Sequence, residues 1–389
     1  MFASRTGWNL SSNRLAAALA AARRQGREVL DLTESNPARC GFHYDQAAIL
    51  GGLTQPAALD YCPEPLGLPS ARQAVTGYYS ERREQVSPDR ILLATSTSEA
   101  YSFIFRLLCD PGDEVLIPRP SYPLFEFLAG IQDVRIVSYP LFYDHGWHID
   151  LHALESAVSP RTRAIVVVHP NNPTGSFVKP AEADSMVHLC SARGLALIAD
   201  EVFLDFSFDA VPRPSFATRT DVLTFTLSGL SKLAGLPQMK VAWTAVGGPP
   251  DLAHTARARL EVIADTYLSL NTPMQLAIPE FLRSRHGFLA QACGRLAANL
   301  AELDRQLAAQ SLCQRLEVEG GWYAVLRVPA TQCDEDLALA LLDRHGVLVH
   351  PGHFYDFTSE GHLVLSLLTL PPVFAQGVQR SLALLQEPV

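Results

Sequence analysis

A lysine, a carboxylate and a pair of amides stand at the ends of apolar runs in this sequence, where core packing alone would place greasy side chains. Lys232 lies in SGLSKLAGLPQMK, residues 228–240, between the apolar run VLTFTLS and a turn rich in glycine and proline. A lysine there is either a solvated loop residue or an amine held for covalent work, such as imine formation with a carbonyl. Asp200 ends the apolar run ALIAD, so its carboxylate is expected to be partly buried and to need a cationic partner such as a ring nitrogen. A helix cap or a structural ion pair would satisfy it equally. HPNNPTG, residues 169–175, closes another apolar run with two amides and two chain breakers, which by itself describes a fixed turn. TSTSEA, residues 95–100, offers hydroxyls and backbone N–H groups at a helix start, an anion site in one reading and an ordinary cap in the other.

The elements that must position these groups alternate along the chain. SSNRLAAALAAARRQ (11–25) reads as an amphipathic helix capped by Ser11 or Ser12, REVLDL as a short strand, and TESNP (33–37) as a fixed loop. A helix over 70–84 follows the Pro/Gly-rich connection YCPEPLGLP. Then come strands at 91–95, 114–118, 133–140, 163–170, 196–203 and 222–228, with helices at 98–109, 121–131 and 149–158. Short buried strands between helices indicate a mostly parallel sheet, whose functional loops lie at the carboxyl ends of its strands. Thr95–Ser98, Asn171–Asn172, Asp200 and Ser228–Lys232 all fall at such ends. A long helical pattern at 286–312, strands at 321–328, 347–352 and 362–369 and a helix at 334–346 describe a smaller α+β unit, to which the N-terminal segment is expected to return.

Bulk properties exclude several classes. The 389 residues allow a large core split between two domains, and 48% hydrophobic with 18% charged residues is ordinary for a globular protein. A net charge of −9 and the lack of a basic stripe argue against nucleic acid as a partner. Seven widely spaced cysteines suggest reduced thiols in a cytoplasm and no zinc site. Arg23 and Arg24 interrupt the Ala-rich stretch, which argues against a signal peptide, and no apolar run is long enough to span a bilayer. No GxGxxG follows the first clear strand, so dinucleotide binding is disfavoured.

Taken together, HPNNPTG, ADE and SGLSKLAGLP in this order resemble the class I/II aminotransferases, fold type I enzymes dependent on pyridoxal 5'-phosphate. The resemblance runs from about Asp31 to Ser366. It implies an α/β fold: a large domain with a mostly parallel sheet of the seven-stranded type, and a smaller α+β domain. It places an N-terminal arm and part of the small domain at 1–45, the large cofactor domain at 46–275 and the small domain at 276–389. By resemblance, Lys232 holds the cofactor aldehyde as an imine and moves a proton between the substrate α-carbon and the cofactor. Asp200 pairs with the pyridinium nitrogen, Asn172 with the ring hydroxyl oxygen, and Tyr122 stacks on the ring. Ser96 and Thr97 match the phosphate cup. Lys240 stands where the family often has a phosphate-binding arginine, keeping the charge without the bidentate fork. Tyr61 matches the tyrosine that reaches a partner subunit's phosphate, which implies a homodimer with shared active sites. Asn36 lies near the substrate-facing N-terminal loop, or is a plain turn amide.

Three departures bear on the substrate. Phe203 replaces the tyrosine expected three residues after Asp200, so one hydrogen bond to the ring hydroxyl is expected to be missing. In HLVLS, residues 362–366, Val364 occupies the position of the arginine that holds the substrate α-carboxylate. Either the distal alignment slips, or His350, His353 and Tyr355 in VHPGHFYDF take over, or the substrate lacks a carboxylate. Residues 262–275 lack the arginine used for dicarboxylates, which disfavours aspartate as donor. Phe125, Phe127 and Tyr267 would suit a neutral substrate, or belong to the core. The leading expectation is an aminotransferase moving an amino group from a neutral amino acid to a 2-oxo acid. The alternatives are a C–S β-lyase and a non-catalytic cofactor-binding regulatory protein.

Overall fold

A computed structural model of the protein describes residues 1–211, 213–268 and 270–387. The first helix, Arg14–Arg24, is capped by Asn13, whose side chain accepts from the Ala16 N–H. The expected cap at Ser11 or Ser12 is therefore displaced inward. Ser11 is instead drawn into a local turn, donating from Oγ to Asn9 Oδ1 at 2.6 Å. A short strand β1 (Leu30–Asp31) follows, and the large sheet begins with β2 (Ile91–Ala94) and β3 (Glu114–Arg119). Its other strands are β4 (Arg135–Tyr143), β5 (Trp147–Ile149), β6 (Thr162–Val168), β7 (Ala196–Asp200), β8 (Thr224–Gly229) and β9 (Ala242–Gly247). The spatial order is β2-β9-β8-β7-β6-β3-β4-β5. The expected mostly parallel sheet is thus present, extended by β5, which folds back antiparallel on β4. Strands β8, β7, β6, β3 and β4 run parallel to one another. β9 is antiparallel to both β8 and β2, so β2 again points the way β8 does.

β6, β7 and β8 read as continuous Val/Ile/Leu/Ala runs because helices cover both sheet faces. One layer packs Phe103, Phe105, Val166, Ile198 and Phe225, the other Leu116, Ile165, Leu197 and Met186. The helix expected over 121–131 starts only at Phe125; a bend at Pro120, irregular backbone at Ser121 and Tyr122 and a turn at Pro123–Leu124 precede it. The long helix likewise spans Thr272–Leu307, beginning earlier than its pattern suggested; Asn271 caps it and Pro279 is tolerated within it.

The second sheet is antiparallel, ordered β10 (Gln314–Arg315), β11 (Tyr323–Arg327), β14 (His362–Ser366) and β13 (His350–Pro351). β12 (Val347–Leu348) pairs in parallel with β1, so the N-terminal segment does return to this part of the molecule. HPNNPTG is pinned against the same region. Gly175 Oxygen accepts from the Gly320 N–H at 2.9 Å. With φ at +70° and an added Cβ falling 2.3 Å from Val318 Cγ2, position 175 admits only glycine without rearrangement.

Candidate active site

Strand direction gathers the candidate groups. The carboxyl ends of β2, β3, β6, β7 and β8 share one sheet edge, and they carry Ser96–Thr97, Tyr122, Asn172, Asp200 and Lys232. β9 starts at that edge, since Ala242 pairs with Gly229, and this brings Lys240 there as well. Lys240 is exposed and adopts a left-handed conformation with φ at 52°.

Asp200 is buried at the end of β7. Its Oδ2 accepts from the Tyr101 hydroxyl at 3.1 Å and its Oδ1 from the Val202 N–H at 3.2 Å. Burial raises its pKa to about 6, against the opposing pull of these hydrogen bonds and of the Lys232 charge. Lys232 follows β8 and is the mirror case: burial lowers its pKa to about 8, while Asp200 pushes it upward. Its Nζ lies 4.8 Å from the centre of the Trp322 ring and 5.7 Å from that of Phe203. A partly buried amine beside two aromatic rings loses water but keeps a partial electrostatic partner in the rings. Phe203 and Trp322 pack edge to face at 5.2 Å, so the position that lacks the tyrosine hydroxyl is a sealed apolar wall.

Asn172 is buried and its Oδ1 has no hydrogen-bond partner among the described residues. Its neighbour Asn171 is consumed structurally, receiving the Thr174 hydroxyl at 2.9 Å. Ser96 caps the helix Thr97–Leu108, accepting from the Glu99 N–H at 3.1 Å, while Glu99 Oε2 accepts from the Thr95 N–H at 2.7 Å. The cap reading of TSTSEA is therefore correct at Ser96, which takes up the Glu99 N–H, and in this helix of 12 residues the Thr97 and Ser98 N–H groups have no intrahelical acceptor. The Tyr122 ring is 46% exposed, with its hydroxyl pKa raised by burial and by the nearby Asp200 charge.

Two sequence candidates stand outside this cluster. Tyr61 is 79% exposed on the loop before the helix Pro69–Glu81, beside Asp265 and Leu268. Asn36 is exposed and uses Oδ1 to cap the short turn Pro37–Arg39, accepting from Ala38 N–H at 3.1 Å. Tyr101, Trp322 and Tyr323 were missed from sequence. Tyr101 sits within the apolar stripe SEAYSFIF, and nothing local marks its hydroxyl as facing a carboxylate a hundred residues away in the chain. Trp322 and Tyr323 read simply as strand residues in GWYAVLRV.

Val364 is 1% exposed in β14, paired with Val325 of β11 and His350 of β13. The valine is a true strand residue in a regular ladder. His353, the middle of the proposed replacements, is exposed and packs on Phe354. Phe125 is 3% exposed and belongs to the core, whereas Phe127 and Tyr267 are about half exposed.

Comparison with known proteins fits this geometry. The family described as aminotransferase class I and II matches residues 47–369. A glutamate–pyruvate aminotransferase of Haemophilus influenzae is 29% identical over 365 residues, covering 90% of this chain and 88% of its own. An alanine aminotransferase of Mycobacterium bovis is 31% identical over 358 residues, covering 89% of this chain and 82% of its own. The solved alanine aminotransferase of Pyrococcus furiosus superposes with a TM-score of 0.91 at 21% identity, covering 100% of both chains. The chain belongs to the class I and II aminotransferase family, enzymes that transfer an amino group between an amino acid and a 2-oxo acid.

Proposed function

We propose that the protein is a pyridoxal 5'-phosphate-dependent aminotransferase whose donor is a neutral amino acid. One observation carries the reading: a buried carboxylate, Asp200, and a partly buried amine, Lys232, each shifted toward neutrality, meet at the edge that also holds the unpartnered Asn172 oxygen. A cationic ring with a hydroxyl substituent would satisfy all three. The cofactor, when bound, supplies an electron-accepting pyridinium beside the substrate α-carbon.

The chain's own residues then divide the work. Asp200, oriented by Tyr101, holds the proton on the ring nitrogen. Asn172 engages the ring hydroxyl, and Tyr122 covers the ring. Ser96, Thr97 and the first-turn N–H groups of their helix take the phosphate, with Lys240 adding charge. Lys232, with its pKa near 8, is poised to take and return the proton at the substrate α-carbon. Trp322 and Phe203 keep water from that amine. Tyr61 of each subunit reaches the phosphate held by the other, so the working form is a homodimer. Exposure of Tyr61, Leu59 and Leu268 on one face supports that reading. The same reading divides the chain into an arm at 1–45, a cofactor domain to 275 and a small domain from 276, and places it in the cytoplasm. No described helix is long and apolar enough to cross a membrane.

The absence of arginine from 262–275 favours a neutral donor over a dicarboxylate, and the names of the two curated relatives, which act on alanine or on glutamate and pyruvate, make alanine the first donor to try, with 2-oxoglutarate, the 2-oxo acid of glutamate, as acceptor. The test is a balance of products with alanine or cysteine as donor. Transfer predicts one 2-oxo acid per amino group moved, strict dependence on an acceptor and no free ammonia. Ammonia and pyruvate released from cysteine without an acceptor would establish the β-lyase instead.

A further inference from the structure

The register of the small sheet shows what replaces the missing guanidinium. Directly paired residues of neighbouring strands share a face. Val364 pairs with Val325 and His350, and Ser366 pairs with Tyr323, so all five side chains lie on one face. That face meets the N-terminal loop, where Ser366 Oγ donates to the Glu34 carbonyl at 2.7 Å. An arginine at 364 would rise from the middle of it. In its place the row offers the His350 imidazole and the Tyr323 hydroxyl on either side of an apolar residue. Tyr355 joins them: its hydroxyl is 3.0 Å from His350 Nδ1, and its ring centre is 6.3 Å from that of Tyr323. The Tyr355 carbonyl accepts from the Ser121 N–H at 3.0 Å, which ties this group to the Tyr122 turn.

Arginines of the surrounding elements are committed elsewhere: Arg39, on the N-terminal loop, is exposed and pairs with Glu34. Arg295 donates to the carbonyls of Cys40 and Leu368, and Arg119 donates to that of Asp356. Arg327 lies at the far end of the row, over the Tyr143 ring. Burial holds His350 toward its neutral form and the Tyr323 and Tyr355 hydroxyls toward theirs. Neutral hydroxyls are donors, which a carboxylate requires.

Resting on the aminotransferase reading, we propose that the donor's α-carboxylate is received by the hydroxyls of Tyr323 and Tyr355, with His350 orienting Tyr355. His350 donates from Nδ1–H to the Tyr355 oxygen, which turns the phenolic proton outward to the carboxylate. Tyr323 and Tyr355 touch the substrate; His350 is a positioning residue. A site built from neutral donors recognises a carboxylate by hydrogen bonds without a net charge. It therefore discriminates less sharply against a carboxamide than a bidentate guanidinium would.

The experiment is calorimetric titration of the cofactor-loaded enzyme with propionate and with propionamide, beside steady-state kinetics with alanine. Propionate is expected to bind, propionamide to follow within about tenfold, and Tyr355→Phe and Tyr323→Phe each to weaken propionate by about tenfold or more. The same variants should raise the KM for alanine while leaving kcat nearly unchanged. His350→Phe should weaken propionate in the wild-type background and have little further effect in Tyr355→Phe. Failure of propionate to bind the wild type, unchanged affinity in both tyrosine variants, or loss of binding only in Arg119→Gln or Arg327→Gln would overturn the proposal. Propionate bound through the tyrosines, with no amino transfer from any donor, would instead refute the aminotransferase reading and keep the carboxylate site.

Discussion

At the edge of the large sheet, a buried carboxylate and a partly buried amine stand together, each moved toward its neutral form by lost water and toward its charged form by the other. On the face of the small sheet, the position that would hold a third charge is a valine fully enclosed between two strands, ringed by hydroxyls and an imidazole. On the proposed reading, the cofactor end keeps desolvated groups that the bound cofactor would satisfy, and the substrate end lacks the charge whose desolvation it would otherwise have to offset. The contrast then teaches that catalytic and recognition demands are separable within one cleft: charge is retained where electrons and protons are to move, and dispensed with where a group is only to be held.

Substitutions at the charged end should be the most damaging. Lys232→Ala is expected to slow amino transfer by at least about 10³-fold, because Lys240, the other lysine at that edge, is exposed and cannot replace an amine set against Trp322 and Phe203; single-turnover rates with alanine check it. Asp200→Asn should follow at about 10²-fold, since an amide cannot hold the ring proton as a carboxylate does, and rates comparable to wild type would remove the charged end from the account. Tyr101→Phe deletes one hydrogen bond to that carboxylate and should cost about tenfold in cofactor retention, measured by dialysis against buffer without cofactor. If Tyr355→Phe lowered kcat more than Tyr101→Phe does, the division between the two ends would fail.

The same comparison predicts a stability effect with a definite sign. The folded-state pKa of Lys232 is depressed to about 8 from 10.5, so the unfolded chain binds the extra proton between those values. Stability of the cofactor-free protein should therefore rise as pH climbs from about 8 to about 10.5 through this group. Lys232→Met should be more stable than wild type at pH 7 by about 1–3 kcal/mol, the lower figure reflecting the cation that Asp200 loses. That advantage should vanish above about pH 10.5, and denaturant melts at three pH values would show it. The smallest effect is expected from Phe203→Tyr, which restores a donor to the ring hydroxyl oxygen. It should move the midpoint of the visible-band pH titration down by about one unit, by favouring the deprotonated form.

Much of this was legible in the sequence. β6, β7 and β8 announce themselves as apolar runs because both faces of a parallel sheet are covered, and the polar residues closing them mark the edge where ligands bind. β9 was missed: AWTAVG is short and its partners β2 and β8 are set by long-range pairing. β5 was missed because a three-residue strand with a glycine turn has too little period to read. Within the site, Lys232, Asp200 and Asn172 carry local signals, being polar residues in apolar or breaker-rich settings. Tyr101 and Trp322 carry none, since each looks like core from its neighbours and gains a role only through contacts made by tertiary packing. The departure at Val364 was visible at once, and so were His350 and Tyr355 as candidates to replace the arginine; Tyr323, and the row that joins the three, required the strand register that sets His350 opposite Val364 and Tyr323 beside it.

The most direct test of the account is the visible absorbance spectrum of the protein loaded with pyridoxal 5'-phosphate, followed on addition of alanine. The account predicts a visible band that depends on Lys232, is absent from Lys232→Ala, and disappears with alanine as one equivalent of pyruvate is formed. A band identical in Lys232→Ala, or one that persists with alanine and every other neutral amino acid, would contradict it.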